Sequence, residues 1–94
     1  MLDTVLNGYC WDSSKAVTNL KKHGVSFEEA VTVFRDPNHI VYGDQVHHER
    51  FVTIGYSRSE RVLFVVACEA AGDLIRIISA RKASAGQARQ YEGY

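Results

Sequence analysis

Residues 49–80 alternate between strand-forming segments and short turns, a pattern that leaves few possible topologies. The segments Glu49 to Ser57, Arg61 to Glu69 and Leu74 to Ala80 are rich in β-branched and aromatic or other apolar residues. Such short turns join neighbouring strands in antiparallel order, because parallel neighbours need a long crossover. We therefore predict an antiparallel meander, extended by a short strand at His39 to Tyr42 into a sheet of about four strands.

Helical spacing dominates the chain before this sheet. Apolar residues recur every three or four positions over Ser13 to His23, and Gly24 follows as a C-cap. Ser26 and Glu29 have the spacing of a capping box, in which each side chain binds the backbone N–H of the other residue. We predict a first helix over residues 13–23 and a second helix that ends near Phe34.

The remaining segments complete an α+β architecture. A short strand is predicted at Gly8 to Trp11, and residues 83–92 permit a C-terminal helix. Two N-terminal helices would then cover one face of the antiparallel sheet, which leaves the other face for a ligand or a partner. A chain of 94 residues is long enough for one core and too short for two, so we expect a single domain over residues 1–94.

Charge is distributed unevenly along a chain whose formal net charge is zero. Residues 1–75 contain seven Lys or Arg and ten Asp or Glu, whereas residues 76–94 contain four and one. Neutrality argues against a nucleic-acid partner, because phosphate binding depends on cations. The basic C-terminal end could nevertheless bind a polyanion locally.

The sequence does not indicate a membrane protein or a metalloprotein. The longest apolar run, Val62 to Cys68, is far shorter than the roughly 20 residues of a membrane span, so we expect a cytoplasmic protein. His47, His48 and Glu49 are suitable metal-ligand types, but neighbours in a strand point to opposite faces. We expect neither a metal site nor a cofactor. One histidine could transfer a proton, and the alternative is an exposed pair in a loop.

Four separated blocks of sequence resemble a known family when they are taken in order. The blocks are Trp11 to Ala30, Phe34 to Pro37, Glu49 to Gly55 and Ile75 to Ala83. Together they resemble the BrnT family of bacterial ribonuclease toxins from type II toxin–antitoxin systems. The resemblance implies a RelE-like fold and RNA cleavage that inhibits translation and growth. It also implies neutralisation by a BrnA-like antitoxin with a ribbon-helix-helix domain, through which the complex binds operator DNA.

The implied chemistry needs no metal, because the 2′-hydroxyl of RNA can attack the adjacent phosphorus. The protein then has to orient the strand, help to remove a proton and stabilise the added negative charge. The resemblance suggests Arg81 and Tyr91 as catalytic residues, with Arg50 and Arg76 as further phosphate ligands. Candidates for RNA contact are His48, Lys82 and Arg89. Tyr91 would need nearby cations to act as a base, and the alternative is an aromatic residue packed on the sheet.

Two departures from the family pattern leave a second function open. Residues 84–90 of the predicted C-terminal helix carry little charge, and Ala70 and Ala71 follow Glu69 where the family usually has an arginine. The alternative is a catalytically weakened toxin homologue that binds its antitoxin and serves as a transcriptional co-repressor.

Overall fold

The computed structural model describes residues 1–93 and has an α+β architecture. Tyr94, the last residue of the predicted domain, lies outside the described residues. Residues 1–93 form six strands: β1 (Thr4–Leu6), β2 (Tyr9–Trp11), β3 (Ile40–Gly43), β4 (Arg50–Tyr56), β5 (Val62–Ala70) and β6 (Leu74–Lys82). The helices of this part of the chain are α1 (Ser13–His23), α2 (Phe27–Val31) and α3 (Ala85–Glu92), with 3-10 turns at Thr32–Arg35 and Ala71–Asp73.

The sheet is larger than predicted and mixed rather than antiparallel. Its strand order is β1-β2-β6-β5-β4-β3, and the predicted meander forms the antiparallel part from β3 to β6. The prediction of about four antiparallel strands was wrong in strand number and in strand direction. The strand β2 pairs with β6 in parallel, and β1 then pairs with β2. Asn7 and Gly8, both with positive φ, make the hairpin turn between them. Asn-Gly is a strong signal for such a turn, so this hairpin was predictable.

The main core lies between the sheet and the N-terminal helices. On β5, every second side chain from Leu63 to Ala67 is fully buried there. These side chains pack against Phe27, Ala30 and Val33 from the segment that contains α2 and the following turn. The second helix is shorter than predicted, since α2 ends at Val31 and continues as a 3-10 turn. We call this side of the sheet the helix face.

The buried side chain of Asn19 ties α1 to the end of β6. Its Nδ2 donates to the carbonyl oxygens of Val25 and Ala80 at 3.0 and 2.8 Å, and its Oδ1 accepts from the Ala80 N–H at 3.1 Å. These bonds fix the backbone of the residue before Arg81. Buried backbone groups require such partners, so Asn19 holds this end of β6 in place.

The predicted capping box at α2 is half formed. Ser26 Oγ accepts from the Glu29 N–H at 3.0 Å, as expected. The Glu29 carboxylate does not return to Ser26; it binds Arg61 and accepts from the Ser57 hydroxyl. The ion pair between Glu29 and Arg61 therefore takes the place of the expected bond from the Ser26 N–H to the Glu29 side chain. A complete box does form at the start of α3, between Ser84 and Gln87.

Candidate active site

Three of the four residues predicted to act in catalysis or to bind the phosphate lie on the sheet face opposite α1 and α2. The neighbours Phe51, Ile77 and Ala80 pack into or against the core on the helix face. Strand side chains alternate between faces, so Arg50, Arg76 and Arg81 project from the other side. We call that side the arginine face. The strands thus bring together three cations that are far apart in sequence.

Arg50 and Arg76 occupy one row across the arginine face. Both pair with Cys68 of β5, which lies between them. Two strand spacings separate their Cα atoms, or about 10 Å. Both side chains are half-buried, and Arg50 makes only a loose ion pair with Glu49, at 3.7 Å. Their positive charges therefore remain available to an anion on this face.

A β-bulge places Arg76 and Arg81 on the same face. They are five positions apart, and in a regular strand residues an odd number apart point to opposite faces. The pairing shifts between Val66 and Ala67, which face Ser79 and Ile77 respectively, so Ile78 is the extra residue. One extra residue reverses the alternation beyond it. The bulge is thus what assembles the three arginines.

Arg81 is held in position by three contacts. Its guanidinium carbon lies 4.2 Å from the ring centroid of Phe64 on β5, within the range of a cation–π interaction. Its Nη1 donates to Gln87 Oε1 on α3 at 3.1 Å and to the Lys82 carbonyl at 3.2 Å. No carboxylate of residues 1–93 forms an ion pair with it. The guanidinium is therefore oriented, and its remaining N–H groups can bind phosphate.

Tyr91 is joined to Asp36 rather than to a cation. Its hydroxyl donates to Asp36 Oδ2 at 2.5 Å, and this bond to a carboxylate raises the pKa of Tyr91 to about 12. Partial burial raises the pKa of Asp36, but hydrogen bonds from Tyr91 and from the N–H groups of Tyr56 and Asn38 outweigh it and lower the pKa. A tyrosine so placed stays protonated and is a hydrogen-bond donor. The contact does not support the role of base.

The predicted RNA-contact residues are more dispersed. Lys82 pairs with Leu63 of the core, so it points to the helix side of β6 and away from Arg81. His48 is exposed in the turn before β4, and Arg89 is exposed on α3. Neither side chain forms a hydrogen bond within residues 1–93. The structure does not gather these three residues with the arginines.

Within residues 1–93, no three side chains of His, Cys, Asp or Glu are grouped closely enough to hold a metal ion. Among the helices of the same residues, none has the length and apolar character needed to cross a membrane.

Sequence reasoning missed two residues that position the candidate site. Asp36, which binds Tyr91, entered the sequence prediction only as part of the block Phe34 to Pro37. Phe64, which supports Arg81, entered it only as part of the strand segment Arg61 to Glu69. The turn between β5 and β6 alone would place Leu63 opposite Arg81, and the bulge at Ile78 shifts the partner to Phe64, so no local signal identifies Phe64. Asp36 and Tyr91 are 55 positions apart, and no local pattern links them.

An α+β domain with three arginines on one sheet face belongs to the class of proteins suited to bind a polyanion. A family model described as the ribonuclease toxin BrnT of type II toxin–antitoxin systems matches residues 11–86. The chain belongs to this family. The match includes all three arginines but not Arg89 or Tyr91. It favours a ribonuclease toxin over the co-repressor alternative, and membership of a type II system implies an antitoxin partner.

A solved structure supports the same assignment. The crystal structure of the Brucella abortus ribonuclease toxin, BrnT, superimposes with a TM-score of 0.64 at 25% sequence identity. The similarity covers 79% of this chain and 92% of that chain. No curated protein sequence matches at a significant level.

Proposed function

We propose that this chain cleaves RNA without a metal ion and so inhibits translation and growth. The observation that carries the proposal is the placement of Arg81, fixed by Phe64 and Gln87 on the face that also presents Arg50 and Arg76. In the reaction, the 2′-hydroxyl of a nucleotide loses its proton and its oxygen bonds to the 3′-phosphorus, while the bond to the 5′-oxygen of the next nucleotide breaks and that oxygen takes up a proton. The products are a 2′,3′-cyclic phosphate and a 5′-hydroxyl.

Arg81 would bind the phosphate at which negative charge develops. A guanidinium keeps its charge and can bind two phosphate oxygens at once, so it suits this role. Arg76 lies about 15 Å further along β6, at the usual rise per strand residue. Arg76 and Arg50 would therefore hold other phosphates of the same strand and fix its path across the arginine face.

Tyr91 would act as a hydrogen-bond donor in this scheme. Its single hydroxyl hydrogen is bonded to Asp36 in the free protein, and on RNA binding it would turn from Asp36 to a phosphate oxygen or to the departing 5′-oxygen. We retain Lys82, Arg89 and His48 as proposed contacts to RNA beyond the cleaved nucleotide. Their exposure suits the binding of a flexible strand.

The antitoxin that we propose has a ribbon-helix-helix domain, like BrnA. It would cover the arginine face, block access of RNA and bring the complex to operator DNA.

Because the RNA that we propose as substrate is cytoplasmic, we place the action of the protein in the cytoplasm.

Expression in cells tests this proposal. Production of the chain alone should stop growth and degrade cellular RNA, and co-production of the antitoxin should restore both growth and RNA integrity. Growth curves and RNA gels over the same time course provide the measurement. Normal growth with intact RNA, despite folded protein in the extract, would contradict the proposed activity and favour a non-catalytic binding module.

A further inference from the structure

A cleft beside the candidate active site has no role in the scheme above. It lies between the 3-10 turn Thr32–Arg35 and the end of β4, and its volume is about 400 Å³. The lining residues are Thr32, Arg35, Asp36, Pro37, Tyr56, Ser57 and Arg58. This volume falls within the usual range of small-molecule sites, so one nucleotide would fit.

The polar groups of the cleft that remain available are cationic. The Thr32 hydroxyl donates to the Glu29 carbonyl and accepts from the Arg58 N–H, so it is already paired. Both Asp36 carboxylate oxygens accept hydrogen bonds from residues 1–93. Arg35 and Arg58 are exposed, and neither forms an ion pair with the described residues. The cleft therefore presents two guanidinium groups that form no ion pair, beside one carboxylate, that of Asp36, whose oxygens are already hydrogen-bonded.

An aromatic surface lies beside these cations. Tyr56 is 45% exposed and is one of the residues that line the cleft. An exposed aromatic ring next to arginines is the combination that binds single-stranded nucleic acid, because the ring stacks on a base and the cations bind phosphate. A protein partner of acidic character would engage the arginines but would not require the ring.

Asp36 connects the cleft to the candidate active site. One of its oxygens accepts from the Tyr91 hydroxyl and from the Tyr56 N–H. A ligand in the cleft therefore lies one side chain away from Tyr91. A strand that crosses the arginine face and passes Tyr91 would enter the cleft next.

We propose that this cleft binds a nucleotide that flanks the cleavage point, with its base on the Tyr56 ring and a phosphate between Arg35 and Arg58. The inference rests on the proposed RNA cleavage and adds a binding subsite to it. Under this proposal the cleft contributes to the affinity for RNA. Because the cleft accepts a base of a certain shape, it also contributes to the sequence preference of cleavage.

The test measures binding of a fluorescent single-stranded RNA with 2′-O-methyl groups throughout, which the protein cannot cleave. Anisotropy titrations at several salt concentrations would compare the wild type with Tyr56→Ala and with the double variant Arg35→Ala/Arg58→Ala. Lys15→Ala/Lys21→Ala removes the same charge from exposed positions of α1 and serves as the control. Melting curves establish that each variant is folded.

Tyr56→Ala should weaken binding about tenfold with an unchanged salt dependence, because it removes one base stack. The double variant should weaken binding and reduce the slope of log affinity against log salt by about 1, as expected for lost phosphate contacts. The control should bind as the wild type does.

Folded variants that bind and cleave RNA like the wild type would overturn the subsite while leaving the activity intact. If those variants lose antitoxin binding alone, the cleft is a protein interface. A wild type that binds no RNA would overturn the proposed function together with this inference.

Discussion

Replacing Arg81 with alanine should slow RNA cleavage on the order of a hundredfold, the usual cost of losing one preorganised charge-stabilising donor. The guanidinium is oriented by Phe64 and Gln87 before any substrate binds. Its loss therefore removes stabilisation of the transition state that no neighbour can supply. Arg81→Lys should recover only part of the rate, because a point charge lacks the planar pair of donors. Single-turnover cleavage of a defined RNA at saturating protein is the measurement.

Lys21→Ala is the matched control for this experiment. It also removes one positive charge, but from an exposed position of α1 on the opposite side of the sheet. It should cleave at the wild-type rate, and melting curves should show that the Arg81 variants are folded. Cleavage by Arg81→Ala at the wild-type rate would mean that the active site lies elsewhere.

Glu29→Gln should destabilise the fold by about 2–3 kcal/mol at pH 7. Glu29 is buried, and its carboxylate binds the Arg61 guanidinium at 2.6 and 2.8 Å and the Ser57 hydroxyl at 2.6 Å. Removal of one partner from a buried pair typically costs about 3–5 kcal/mol. We expect a loss at or just below the lower end of this range because Arg61 keeps 32% of its side chain exposed to solvent. Urea unfolding at equilibrium provides the free energies.

The pH dependence of this effect has a defined sign. The hydrogen bond from Arg61 is the main cause that lowers the pKa of Glu29 in the folded protein. Its contribution to stability is therefore complete above the unfolded pKa, about 4.3, and is lost as pH falls through the folded value. The difference between wild type and Glu29→Gln should shrink below about pH 4. Glu28→Gln, at the exposed neighbouring position, is the control. An equal loss in both variants, or a gap that persists in acid, would contradict the ion pair.

The antiparallel meander was predictable because its signals are local. Strand-forming segments are separated by short turns, and the pairing from β3 to β6 follows from them. The first helix likewise begins and ends where its caps indicate, with Gly24 at φ 70°. The parallel pairing of β2 with β6 was not predictable in this way, since it joins segments more than 60 positions apart.

The candidate site depends on features that local patterns do not show. Arg76 and Arg81 share a face only because Ile78 is an extra residue in β6, and nothing in the sequence marks that bulge. Glu29 has the spacing of a capping residue, yet a distant arginine offers its carboxylate a stronger bond than a backbone N–H does. The family resemblance identified the arginines, and the register explains how they come together.

The ends of the cleavage products show whether the protein cuts RNA through the 2′-hydroxyl and without a metal ion. Purified protein would be incubated with a defined RNA in excess chelator, and mass spectrometry would identify the ends of the fragments. We predict fragments with a 2′,3′-cyclic phosphate, or the 3′-phosphate formed from it, paired with fragments that begin with a 5′-hydroxyl. An RNA with 2′-deoxyribose at the cleaved nucleotide should survive, because it lacks the attacking hydroxyl. Intact RNA, fragments with 5′-phosphate ends, or cleavage only after a divalent ion is added would contradict the claim.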